Sequence, residues 1–503
     1  MASLSSWVRM VGTGWVLLRH DALIPKEISG FLPPVPRFFA GVLRDLFAKK
    51  TRMRAGQRYA EAFQSMGPVF IKLGQVLSTR GDIFGAQFTE DLSHLKDQLP
   101  PFPQAVAEAA IAEALGKPVS ELFLDFGTVI GSASIAQAHR ATLKDGHKVA
   151  VKILRPHIEE VVAADIAMLR LSAGVAAALV PITKRLEPQA FVETVARSLL
   201  LELDLRLEAS AADEIGKIIN AEPWMSAPQV HWHYVARRVL VTSWVDAMPL
   251  SRAEALELPG IDKLALADNL IRAFLSQALD HGVFHADLHE GNLFVQAPDK
   301  LIAIDFGIIG RLKPKERRYL AEMLWGFLRR DYKRVAEVHF EAGYVPAHQD
   351  VDSFAQALRA VGEPVLGRDA TEVSMGRLLT QLFEITAQFD MHLRPELVLL
   401  QKTMVSVEGV ARRIYPNHNL WEAARPVVKE WISRELSPIA EARRLFDRLV
   451  TRLRSDETPA SPVIDAETLG RLKAQLNATQ AITIVSLVIA AASLATLVWY
   501  VLK

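Results

Sequence analysis

The chain has 503 residues, half of them hydrophobic and 23% charged, so it can bury more than one packed unit and is neither disordered nor fibrous. Its 58 Lys and Arg nearly cancel its 57 Asp and Glu, which leaves no overall field to attract nucleic acid, and none is expected as a partner. It has no cysteine, which excludes disulfides and thiolate metal sites.

Trp7 to Leu18 is apolar but interrupted by Arg9, Gly12 and Gly14, and no small-residue cleavage site follows, which argues against a signal peptide. After a proline-bearing connector from Pro25 to Pro36, the stretch from Arg37 to Arg58 holds seven basic residues against the single acid Asp45. Interleaved Phe38, Phe39, Leu43, Leu46 and Phe47 make it suit either an anionic membrane surface or a solvated helix face. From Met66 to Leu77 the apolar residues repeat at helical spacing, with Lys72, Gln75 and Thr79 on the opposite side, the pattern of a packed helix with a wet face. Leu99-Pro100-Pro101-Phe102-Pro103 ends this helical region with a rigid turn.

Between Phe123 and Leu154 the pattern changes to short apolar runs broken by turn residues, as in a hairpin of strands. Helices are expected from Ile158 to Glu214, strands again around Val239 to Val245, and mainly helices from Ala253. A small mixed lobe followed by a large helical one predicts an α+β, bilobal protein-kinase-like fold.

Three segments carry the chemistry. Val149-Ala150-Val151-Lys152 supplies a strand lysine of the kind that contacts α- and β-phosphates and pairs with a helix glutamate. Ahead of it, Gly131, Ser132, Ala133, Ser134, Ile135 and Ala136 occupy the place of a glycine-rich nucleotide loop, with two of three glycines replaced by alanine. Each added Cβ disfavours positive φ, so this loop should be stiffer and grip phosphates differently.

His285-Ala-Asp287-Leu-His289-Glu-Gly-Asn292 and, thirteen residues on, Asp305-Phe306-Gly307 complete the set. In the kinase layout Asp287 would accept a hydroxyl proton while Asn292 and Asp305 hold Mg²⁺. His289 stands where protein kinases vary. A helix is expected from Pro314 with no Ala-Pro-Glu before it, so the segment that docks peptide substrates is missing.

The polar, proline-bearing stretch from Arg454 to Glu467 reads as a linker. Ile482 to Leu502 then runs 21 residues without a charge, enough at about 1.5 Å per residue to cross a core of about 30 Å. The expectation is a single-pass C-terminal transmembrane helix with the catalytic body on the cytoplasmic side, because Arg471 and Lys473 precede the span and only Lys503 follows. Small residues four apart within it permit helix pairing, and with it a homodimer.

Taken in this order, these residues resemble the UbiB family of atypical, ADCK-like kinases over roughly Ala60 to Gly310. The hallmarks are Lys72-x-Gly74-Gln75, the alanine-bearing loop, and Glu202-Leu203-Asp204, beside Lys152, Asp287, Asn292 and Asp305. The resemblance implies that the Lys72 helix folds over the active site, sets its lysine near Glu202 and Asp204, and blocks the groove a peptide would use. It further implies Mg-ATP chemistry in support of ubiquinone biosynthesis at a bacterial inner membrane, acting on or around prenyl-phenol lipids and the enzymes that process them. A lipid kinase and a nucleotide-gated scaffold are the alternatives.

Helix geometry adds a constraint. Glu202 and Asp204 would lie about 200° apart on one helix, whereas Asp204 and Glu208 share a face. Glu208 is therefore expected to pair with Lys152, and Glu202 to face Lys72. The implied organisation is an N-terminal basic region 1–59, a helical extension 60–119, an N-lobe 120–250, a C-lobe 251–453, a linker 454–480 and an anchor 481–503.

Overall fold

The computed structural model describes residues 4–23, 34–49, 51–78, 85–93, 95, 99–179, 187–366, 385, 388–391 and 395–436. They belong almost entirely to one compact unit, Met1–Arg434. The predicted membrane span and its linker lie outside the described residues, among which no helix is long and apolar enough to cross a membrane.

Five helices come first: α1 (Leu4–Arg19), α2 (Pro34–Phe47), α3 (Ala55–Met66), α4 (Pro68–Leu77) and α5 (Ala86–Ser93). The proline-bearing connector is thus shorter than expected, since Pro34 already opens α2, as suits a residue with no N–H to lose in a first turn. In α4 the wet face is not wet. Besides Val69 and Phe70 on the predicted side, Ile71 and Gly74 are buried, and Lys72 keeps only 15% of its side chain exposed.

Helices α6 (Gln104–Leu115) and α7 (Val119–Leu122) lead into β1 (Phe123–Ser132), β2 (Ala136–Leu143) and β3 (Lys148–Leu154). With β5 (Val239–Ser243) they form an antiparallel sheet in the order β1-β2-β3-β5. Strand alternation explains the placement of the lysine: Val149, Val151 and Ile153 are fully buried against α6, so Lys152 emerges on the other face. Behind that face a second core gathers α3, α4, α8 (Ile158–Leu179) and α9 (Pro188–Glu202) around Phe63, Phe70, Val162 and Leu199.

The chain then breaks at Leu203 and starts α10 (Leu205–Ala221), whose N-cap is Asp204: its carboxylate accepts the Arg206 N–H at 3.1 Å. Leu205, Ala209, Ala212, Ile215 and Ile219 form the inward stripe.

In the larger lobe α11 (Lys263–Ser276) runs into a π-helical turn, Gln277–His281. Strand β4 (Met225–Ser226) joins β6 (Met248–Pro249), β8 (Leu293–Gln296) and β9 (Lys300–Ala303) in one small sheet, while β7 (Val283–His285) pairs with β10 (Ile309–Arg311). Helices α12 (Pro314–Arg329), α13 (Tyr332–Glu341), α14 (Val351–Leu366), α15 (Pro395–Ile414) and α16 (Leu420–Glu435) complete it. The start of α12 at Pro314 leaves only six residues after Gly307, too few for a peptide-docking segment.

Candidate active site

Lys152 reaches from β3 to two carboxylates. Its Nζ donates to Glu208 Oε1 at 2.6 Å and lies 3.4 Å from Asp305 Oδ2. Burial alone would discharge the ammonium, but Asp305 and Glu208 together outweigh it and raise its pKa above the ordinary value. Opposite it, the Lys152 charge is the largest influence on Asp305 and holds that carboxyl down at about 2, although burial opposes it. The Gly307 N–H, donating to Oδ1 at 2.9 Å, acts in the same sense. Glu208 goes the other way, raised chiefly by burial and further by Asp305 and Glu202, against the pull of Lys152.

Glu202 pairs with Lys72, so α4 is tied to the end of α9 beside this cluster. Gly74 lets α4 lie close against α3 and Leu95. A Cβ there would stand 2.8 Å from Phe63 Cδ2 and closer still to Leu95 Cδ1. Gln75 is half-buried, and its carbonyl accepts the Ser78 hydroxyl.

Asp204, expected with Glu202 near Lys72, pairs at the start of its own helix. Its carboxylate caps α10 and binds the Arg206 guanidinium at 2.9 and 2.7 Å, and the Arg206 bond is the main reason its pKa is lowered. The helix break at Leu203, and not the 200° rotation of a continuous helix, is what separates it from Glu202.

The catalytic loop is held by side chains bonded to its backbone. Asn292 Nδ2 donates to Asp287 O at 3.2 Å, leaving the amide oxygen to other partners. Buried His285 takes the Asp287 N–H on Nδ1 at 3.1 Å, while burial lowers its pKa. The N–H of His285 is in turn held by Gln277 Oε1, a side chain presented by the π-helical turn. His289 Nδ1 accepts the Gly291 N–H, so its proton sits on Nε2, 3.6 Å from Asp287 Oδ2. The Asp287 side chain is 36% exposed and open to a reactant.

In the nucleotide loop, Gly131 and Ser132 end β1, the turn runs through Ala133, Ser134 and Ile135, and Ala136 starts β2. The Ala133 N–H donates to Ala136 O at 2.8 Å. Ile135 and Ala136 turn into the core, so they can offer a nucleotide only main chain. Arg155 escaped the sequence reading. Its guanidinium binds Ser132 Oγ at 2.8 Å, Ala133 O at 2.9 and 3.1 Å, and the carbonyls of Leu99 and Pro100, tying the loop to the proline turn. Nothing in its local pattern separates it from a solvated arginine.

Residues 94–339 match the ABC1 atypical kinase-like domain, and 358–419 match the UbiB helical domain. The chain is 37% identical over 487 residues to the probable protein kinase UbiB of Marinobacter nauticus, covering 94% of this chain and 88% of that one. It is likewise 37% identical over 482 residues to the Tolumonas auensis protein of the same name, covering 94% and 87%. Among solved structures it is similar to a Mycobacterium tuberculosis protein in complex with erythromycin, at a TM-score of 0.53 and 22% identity, over 78% of this chain and 98% of that one; this likeness speaks to the fold alone. Sequence and architecture thus agree, and the chain belongs to the UbiB family of atypical kinases.

Proposed function

We propose that this protein is a membrane-anchored atypical kinase or ATPase that uses Mg-ATP to support ubiquinone biosynthesis. The observation that carries the reading is Lys152 bridged between Glu208 and Asp305, whose carboxyl the Lys152 charge holds well below the usual range and so ionised at neutral pH. Lys152 anchors the α- and β-phosphates. The Asp305 carboxylate and the Asn292 amide oxygen are hard oxygen donors of the type Mg²⁺ takes alongside nucleotide phosphates and water. When bound, that ion neutralises phosphate charge.

Asp287 orients the attacking oxygen and accepts its proton, from a position open to solvent. The six residues between Gly307 and Pro314 disfavour a protein substrate and favour a smaller acceptor, a prenyl-phenol hydroxyl or water. Phosphorylation of such a hydroxyl is the second reading. Membrane association is supported by the charge-free run Ile482 to Leu502 and by the exposed side chains of Trp7, Val11 and Trp15 on α1 and of Leu46 and Phe47 on α2, near the exposed cations Arg19, Lys49 and Arg52. The body is assigned to the cytoplasmic face of a bacterial inner membrane, in reach of the enzymes of the same pathway.

The test is nucleotide hydrolysis by the purified protein with anionic vesicles and a prenyl-phenol, beside Asp305→Asn. The variant is expected to lose turnover, and cells carrying only that variant to lose ubiquinone. Full quinone production by those cells would overturn the proposal.

A further inference from the structure

The kinase-like match ends at residue 339, yet α15, more than fifty residues later, touches the catalytic loop at three points. Ser406 Oγ donates to Leu288 O at 2.8 Å. Thr403 Oγ1 lies 3.1 Å from Ala286 O and 2.8 Å from Leu399 O, so its single proton is shared between the loop and its own helix. Arg413 pairs with Glu290 and also donates to Ser251 O at 3.3 Å. At 100° per residue, positions 403, 406 and 413 fall within about 80° of one another, a single face of α15.

The two carbonyls so bound belong to the residues on either side of Asp287. Ala286 is 2% exposed and Leu288 fully buried, so neither carbonyl is served by bulk water, and each needs a donor in place. Apolar packing holds a loop at a given depth without orienting its peptide planes. A directed hydrogen bond does orient them: Thr403 fixes the 286–287 plane before the Asp287 Cα, Asp287 O in the 287–288 plane after it accepts from Asn292 Nδ2 at 3.2 Å and the His289 N–H at 3.0 Å, and Ser406 fixes the next plane, 288–289, so the loop around Asp287 is held from both ends.

We infer that Thr403, Ser406 and Arg413 are positioning residues: α15 sets the peptide plane before Asp287 and the plane after Leu288, bracing the loop on both sides of Asp287 and so aiming its carboxylate, which makes turnover depend on a helix outside the kinase-like domain. The inference rests on the proposed Mg-ATP chemistry for its kinetic arm only. Misplacing a reacting group by a fraction of an ångström lowers the rate without changing how nucleotide binds, so the signature is a fall in kcat at constant KM.

The experiment uses the full chain and two double variants. Thr403→Val with Ser406→Ala is expected to lower kcat for nucleotide hydrolysis at least tenfold with the ATP KM within twofold, while Thr403→Ser with Ser406→Thr, which keeps both hydroxyls, restores most of it. Independently of activity, amide exchange in a peptide spanning 284–292 should quicken about tenfold in the first variant and stay unchanged over Val239–Ser243. Unchanged exchange in the loop overturns the inference, as does equal loss in the two double variants. If Asp305→Asn hydrolyses nucleotide like the parent, the Mg-ATP reading falls and exchange alone decides the role of α15. Should the first variant fail to fold, Glu290→Arg is compared with Glu290→Arg plus Arg413→Glu. Recovery of kcat in the reversed pair supports the brace, and no recovery overturns it.

Discussion

Replacing Glu208 by Gln keeps the shape of the side chain and removes its charge, which separates two effects that pull apart in this structure. The carboxylate is buried and its pKa is raised mainly for that reason, so losing the charge relieves a desolvation cost. It also removes a charge-assisted hydrogen bond of 2.6 Å to Lys152, worth on the order of 1.5 to 3 kcal/mol. Lys152 keeps Asp305 at 3.4 Å, so the ammonium is not left unpaired, and the two contributions to stability nearly offset, leaving a change of about 1 kcal/mol or less. Turnover has no such offset. With Glu208 neutral, the ammonium moves toward Asp305 and away from the phosphates, and a loss of about 1.5 to 3 kcal/mol corresponds to roughly 10- to 150-fold in kcat/KM. The assay is a double-mutant cycle, Glu208→Gln with Lys152→Met, read in kcat/KM for ATP and in urea midpoint. A coupling energy below about 0.5 kcal/mol in turnover would refute the argument that this pair aims the lysine.

Gly74→Ala gains about 1 kcal/mol of helix propensity but forces a methyl against the Phe63 ring, which is packed between Tyr59 and Phe70 and cannot swing away. Overpacking at about 1 to 3 kcal/mol wins, so the denaturation midpoint should fall, and an unchanged midpoint counts against the close approach of α3 and α4. Buried His339 donates to Val335 O at 2.7 Å and has its pKa pushed down to about 4 by burial. Its unfolded counterpart takes a proton near 6.5, so stability is complete above that pH and is lost as pH falls from 6.5 to about 4, by at most about 3 kcal/mol. His339→Phe should flatten the fall in Tm across that window. The slope does not vanish, because burial also lowers His231, His285 and His418; a slope identical to the parent's would contradict the assignment. Arg155→Lys keeps the charge but cannot reach the Ser132, Ala133, Leu99 and Pro100 acceptors at once, so the ATP KM should rise several-fold with kcat little changed. An unaltered KM would show that the loop does not need its tether.

The chemistry of this protein was legible where it depends on residue type and short spacing. Period-two alternation in Val149 to Ile153 is enough to put Lys152 on the face away from the α6 core, and a loop ending in Asn292 followed thirteen residues later by Asp305-Phe-Gly supplies the groups that the proposed chemistry would use. Glu208 was expected at Lys152 because it lies four residues from Asp204 on one helix face, and the pair forms although Asp204 caps that helix from outside it. The role of Asp204 was not legible, since a helix break depends on how two packed helices meet, and an aspartate two residues from a glutamate looks the same whether it is catalytic or a cap.

What tertiary structure alone decided lies across long separations in the chain. Arg155 reaches the carbonyls of Leu99 and Pro100, and Ser406 binds the carbonyl of Leu288, 118 residues away, whereas Lys72 meeting Glu202 was expected from the family resemblance. Local pattern reports which groups a segment can offer. Which of them meet is set by the packing of whole elements, where a missing Cβ at Gly74 or one face of α15 determines the approach, and neither leaves a mark in the periodicity of its own helix.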